Sequence, residues 1–131
     1  MKYNILIVED ELHLARQYSE CLSEFGEIIQ VSNSEETFTY IKNKIDLIIL
    51  DNKLIGDPRF PQDHAGLEIL KVIKKEMKLN IPVIMITAYP RKKGEITTGQ
   101  EAINIGAYEY LEKPIILSEL KKVVKKALFN S

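Results

Sequence analysis

Short runs of continuous apolar, often β-branched residues alternate in this chain with longer stretches whose apolar positions recur every three or four residues. The run at 3–8 reads as a strand buried on both faces. Residues 11–25 follow with Leu12, Ala15, Leu22 and Phe25 at helical spacing, and Gly26 stops the helix. A second strand is predicted at 28–31. Ser32, Asn33 and Ser34 then offer N-caps, and Glu35 and Glu36 suit the first turn of a helix to about 42 that packs through Phe38 and Ile41. Residues 46–50 form a third apolar run. A long connection reaches to Gly66, and 67–77 carries Leu67, Leu70, Ile73 and Met77 on one helical stripe. A fourth strand is expected at 82–87, then a loop with a helix near 100–105, a fifth strand at 108–111 and a closing helix at 117–128.

Strand and helix thus alternate through the whole chain with short connections, so residues 1–131 read as one domain. Strands apolar throughout need helices on both faces, which calls for a parallel sheet. Right-handed crossovers make it doubly wound, and the common small solution is the flavodoxin-like order 2-1-3-4-5. Strands 1 and 3 are then neighbours, and their carboxyl ends flank the switch point where ligands bind.

Composition narrows the partners. A formal net charge of −1 gives no electrostatic footprint for nucleic acid. Lys121, Lys122, Lys125 and Lys126 read as the solvated face of the last helix, since Leu120, Val123, Val124, Ala127 and Leu128 fill the other positions. No apolar stretch approaches the ~20 residues of a membrane span. Cys21 is the single cysteine, so no internal disulfide forms. The chain reads as cytoplasmic.

The polar residues just after the strands carry the chemistry. Strand 1 ends in Glu9, Asp10 and Glu11, strand 3 in Asp51, strand 4 in Thr87 and strand 5 in Glu112, Lys113 and Pro114. The topology gathers them on one edge of the sheet. Clustered carboxylates repel unless one is neutral or a cation is present. A hard cation such as Mg²⁺ answers this with oxygen ligands. A cation, the Lys113 ammonium and the Thr87 hydroxyl around Asp51 suit the oxygens of a transferring phosphoryl group, with Asp51 as nucleophile.

The blocks Ile5–Glu11, Leu47–Asp51, Gly66–Leu70, Val83–Ala88 and Gly106–Pro114 together resemble the motifs of two-component response-regulator receiver domains. The resemblance implies that Asp51 accepts a phosphoryl group from a sensor histidine kinase or phosphotransfer protein. It implies Mg²⁺, with Mn²⁺ able to stand in, held by Glu9, Asp10, Asp51 and the backbone carbonyl of Lys53. Thr87 and Lys113 would engage the phosphoryl group, Tyr110 would turn inward as Thr87 moves, and Pro114 would follow a cis bond. The domain would be no enzyme beyond its own phosphorylation and slow dephosphorylation at Asp51, and would switch binding of an unidentified output partner. The alternative is a receiver-shaped interaction module that signals without phosphate.

Two segments depart from the family pattern. The connection 52–65 is longer than usual, and it either shades the site and meets the kinase or is a tolerated surface insertion. The segment 90–105 is also longer and would shorten or displace the fourth helix, giving an unusual partner surface. Lys53 and Tyr89 would influence the lifetime of the acyl phosphate, with Tyr89 hindering water. A hydrolase of the haloacid-dehalogenase kind would want an acid where Lys53 stands. A flavodoxin-like cofactor binder would want a Gly/Ser/Thr-rich loop after strand 1, and no Walker-type phosphate loop is present. His13 and His64 read as ordinary surface histidines.

Overall fold

A computed structural model describes residues 2–88 and 97–129. The strands are β1 (Tyr3–Val8), β2 (Gly26–Val31), β3 (Leu47–Asp51), β4 (Val83–Thr87) and β5 (Glu109–Glu112). They form one five-stranded parallel sheet in the order β2-β1-β3-β4-β5. The helices are α1 (Leu12–Leu22), α2 (Ser34–Tyr40), α3 (Ala65–Lys71), α4 (Thr98–Ile105) and α5 (Leu117–Phe129). The doubly wound expectation therefore holds.

Two apolar cores lie on the two faces of the sheet. Even-numbered residues of β1 and β3, Leu6, Val8, Ile48 and Leu50, meet Leu70 and Ile73 of the α3 segment and Ala102 of α4. Their odd-numbered neighbours, Ile5, Ile7, Leu47 and Ile49, meet Tyr18 and Leu22 of α1 and Leu120 and Val124 of α5. This two-residue alternation between faces is what a pleated strand requires. β3 and β4 are buried along their whole lengths, whereas the edge strands β2 and β5 are largely half-buried.

Several expected details change. Leu12 is not a core contact: it is 72% exposed, and the buried stripe of α1 is Ala15, Tyr18 and Leu22. The first helix tightens into a 3₁₀ turn over Ser23–Phe25, and β2 begins at Gly26, two residues ahead of the expected start. The α3 stripe stops before Met77, which is exposed, because the chain widens into a π-helical turn over Val72–Glu76. Lys74 Nζ then reaches back to the carbonyls of Leu79 and Ile81, at 3.1 and 2.6 Å. β5 is shifted one residue beyond the predicted 108–111, leaving Tyr108 exposed. α4 begins at Thr98, with the Thr97 hydroxyl accepting from the Gln100 amide as N-cap. The expectations for Tyr89 and Pro90–Gly94 lie outside the described residues. Among the described residues no helix is long and apolar enough to cross a membrane.

Candidate acidic site at the switch point

The β1–β3 boundary delivers the acids. Pairing of Val8 with Leu50 places Glu9 and Asp51 side by side at the ends of adjacent strands. Among the described residues, Glu9, Asp10 and Asp51 each offer a carboxylate oxygen within 4.8 Å of the others'. Glu9 and Asp51 are each 2% exposed, an expensive place for two anions. They border a cleft of about 580 Å³ that also touches Ser32, Lys53, Ile55 and Lys113.

Lys113 supplies the compensating charge. Its Nζ lies 2.6 Å from Asp51 Oδ2 and 3.4 Å from Glu9 Oε1. The strand end sets this reach, because the Lys113 amide donates to the Thr87 carbonyl at 2.8 Å. The Lys113–Pro114 peptide is cis, as the resemblance implied. Burial alone would push the Lys113 ammonium down, but the Asp51 and Glu9 carboxylates outweigh it and hold it above its ordinary value. Asp51's other oxygen, Oδ1, accepts from the Lys53 amide at 3.1 Å.

One cation does not neutralise two buried acids. Burial, then a hydrogen bond and repulsion from Asp51, push Glu9 up to about 9, against the opposing pull of the Glu11 amide and Lys113. In the metal-free protein Glu9 thus holds its proton far above the usual carboxylate range. A buried set of carboxylates that must otherwise hold a proton fits a hard divalent cation with oxygen ligands.

Of the residues expected at the site, Glu9, Asp10, Asp51 and Lys113 are brought together. Lys53 lines the cleft with an exposed side chain. Thr87 is buried on β4, one position past Ile86, the register partner of Asp51. Its hydroxyl makes no hydrogen bond to the acids among the described residues. Tyr110 is half-buried on β5 against the core. His13 and His64 are exposed, as expected.

Three features around the site had no role in the sequence reading. Asn52, next to the acid, is nearly buried, and its side chain donates to Asp63 O and accepts from Leu67 N, both at 3.0 Å, which fixes the start of α3. Tyr18 is 1% exposed and its hydroxyl has no hydrogen-bond partner among the described residues. Burial pushes that hydroxyl up, and Glu9, Asp51 and Glu11 add to the shift. Ile55, in the long connection, donates its amide to Asp10 Oδ2 at 2.9 Å. Gly56 and the Asp57-Pro58 pair are local turn signals there.

Comparison with known proteins agrees with the topology. The family described as the response regulator receiver domain matches residues 5–125. Sporulation initiation phosphotransferase F of Bacillus subtilis is 33% identical over 98% of this chain and 95% of its own length. The transcriptional regulatory protein CiaR of Streptococcus pneumoniae is 32% identical over 97% of this chain. The chain spans about half the length of that relative, 52%. The crystal structure of the receiver domain of NtrX from Brucella abortus superposes with a TM-score of 0.81 at 32% identity, covering 97% of this chain and 99% of that one.

Proposed function

The chain belongs to the response regulator receiver domains, and on that premise we propose that it takes a phosphoryl group onto Asp51 from a phosphohistidine on a sensor histidine kinase or phosphotransfer protein. The observation that supports this most is the surroundings of Asp51: a buried carboxylate with an ammonium 2.6 Å from one oxygen and two more acids within 4.8 Å.

In the reaction an Asp51 oxygen attacks phosphorus. The P–O bond forms as the donor's P–N bond breaks, and the electron pair stays on the imidazole. Glu9, Asp10 and Asp51 would hold Mg²⁺, with Mn²⁺ able to replace it and the Lys53 carbonyl as a further ligand. That cation supplies charge neutralisation for the phosphoryl oxygens. Lys113, already seated on Asp51, would transfer its contact to a phosphoryl oxygen and remain a fixed counter-charge. The Thr87 hydroxyl sits one register step away and would donate to the same group. Phosphorylation adds about −2 of charge. Movement of Thr87 toward that charge, with Tyr110 following inward, would bias the face around α4, β5 and α5 for an output partner. No catalysis beyond this self-modification and its slow reversal is proposed, and the setting is cytoplasmic.

The test is incubation of the chain with acetyl phosphate and Mg²⁺, read by intact mass. A gain of one phosphoryl group is expected, absent in Asp51→Asn and absent when EDTA replaces the metal. A wild-type chain that stays unmodified would leave the rival, an interaction module working without phosphate.

A further inference from the structure

The long connection after β3 is a strap, exposed along much of its length but fastened to the body at several points. Leu54 is fully buried in the core, and its amide donates to Gln62 O at 3.0 Å. Residues 54–57 then make a tight turn, closed by the Asp57 amide on Leu54 O at 3.3 Å, with Gly56 at φ 72° in the third position. That is the type II pattern, which needs glycine there.

Asp57 clasps the turn to the N-terminus of α2. Its carboxylate accepts from Ser34 N at 2.7 Å, Ser34 Oγ at 2.8 Å, Phe60 N at 2.9 Å and Arg59 N at 3.1 Å. Burial pushes the Asp57 carboxyl up, but these donors outweigh it and leave it below its ordinary value. The Arg59 guanidinium adds a second fastening, 5.2 Å from the Phe38 ring of α2 and 5.0 Å from that of Phe60.

At the crest of the turn the Ile55 side chain is 65% exposed, while its amide points inward to Asp10 Oδ2. No other hydrogen bond falls on the Asp10 carboxylate among the described residues. The strap therefore sets the orientation of one of the three clustered carboxylates.

We propose that residues 54–60 are a positioning element for the acidic pocket: clasped to α2 by Asp57, they use the Ile55 amide to hold Asp10 where it shares a cation with Glu9 and Asp51. This rests on the phosphoacceptor reading above. The direction of the effect follows from the acceptor count. An ionised carboxylate has about four lone-pair sites, so one amide leaves room for a cation while removing the freedom of the group to rotate. Supporting hydrogen bonds of this kind are typically worth about 10–100-fold in metal affinity. Asp57 and Ile55 are thus positioning residues, not ligands.

Ile55→Pro tests this directly, because the second position of such a turn accepts proline and the substitution deletes the amide donor at a position whose side chain is exposed. Asp57→Asn is the second variant and loosens the clasp from the far side. Mn²⁺ binding to the whole chain, followed by the spin-resonance signal of the free ion, should weaken about tenfold in each. Without metal, the Ile55 amide of Asp57→Asn should exchange with solvent faster than in wild type, while β3 amides keep their protection. Mn²⁺ affinity within threefold of wild type in Ile55→Pro, or an Ile55 amide unchanged in Asp57→Asn, overturns the strap alone. A wild-type chain that binds no Mn²⁺ overturns the phosphoacceptor reading and the strap with it.

Discussion

Tyr110 occupies the space that any side chain on Gly99 would need: a Cβ at Gly99 would overlap the Cγ, Cδ2 and Cε2 atoms of the Tyr110 ring. The first turn of α4 thus lies flat on the one aromatic of β5, and the glycine is what lets it.

Gly99→Ala is therefore expected to expel the ring or lift α4. Overpacking of this kind typically costs about 1–3 kcal/mol, more than the helix-propensity gain of about 1 kcal/mol for replacing glycine by alanine. A lower melting temperature and a changed near-ultraviolet tyrosine circular dichroism signal check it. An alanine variant at least as stable as wild type, with an unaltered spectrum, would mean that the Tyr110 ring does not rest against Gly99.

Glu9 makes the metal-free protein pH-sensitive. Its folded value of about 9 lies above the ordinary glutamate value of ~4.3, so between these limits the folded state binds more protons than the unfolded one. The Glu9 contribution to stability is complete below that window and declines as pH rises through it. A cation must displace the same proton, so Mg²⁺ binding tightens as pH rises. The gain in melting temperature from Mg²⁺ over EDTA should be larger at about pH 8 than at about pH 6. A gain that does not vary with pH would mean that Glu9 is already ionised.

Tyr18→Phe should be tolerated. The hydroxyl is buried without a partner among the described residues, and such a group typically carries a penalty of about 1–3 kcal/mol. Its removal leaves the ring packing against Leu22, Ile84 and Leu120 intact. Chemical denaturation should give a stability equal to or above wild type. A clear loss would reveal a partner for the hydroxyl.

Asn52→Ala should do the opposite. It strips a donor from Asp63 O and an acceptor from Leu67 N at the start of α3, the second of these bonds being buried. Leaving buried backbone groups unsatisfied costs about 1–3 kcal/mol each. Faster amide exchange at Leu67 than in wild type, with Ile48 unchanged, would locate the damage beside Asp51, whereas unchanged exchange at Leu67 would mean that water replaces the side chain.

Residue patterning alone pointed to the elements, to the common strand order and to the sheet edge where the acids gather. The apolar runs Ile5–Val8, Leu47–Leu50 and Val83–Ile86 need cover on both faces, and parallel strands put all their carboxyl ends together. That is why Glu9, Asp10, Asp51, Thr87 and Lys113 are all expected at one edge; the three acids and Lys113 meet there, while the Thr87 hydroxyl makes no hydrogen bond to the acids among the described residues. Periodicity, however, says only which side of a helix is apolar, not how far the sheet extends beneath it. Leu12 opens α1, and Met77 lies past the π-helical turn, so both fit the stripe and neither is buried. The contacts made by backbone amides across long separations depend instead on the path of the folded chain. Ile55 meets Asp10, and Asp57 meets Ser34, through bonds that no residue pattern encodes, because a main-chain N–H is present at almost every position and its partner depends on the path of the chain. Gly99 under Tyr110 is of the same kind, since a residue without a side chain leaves no mark in the apolar pattern of what fills its place.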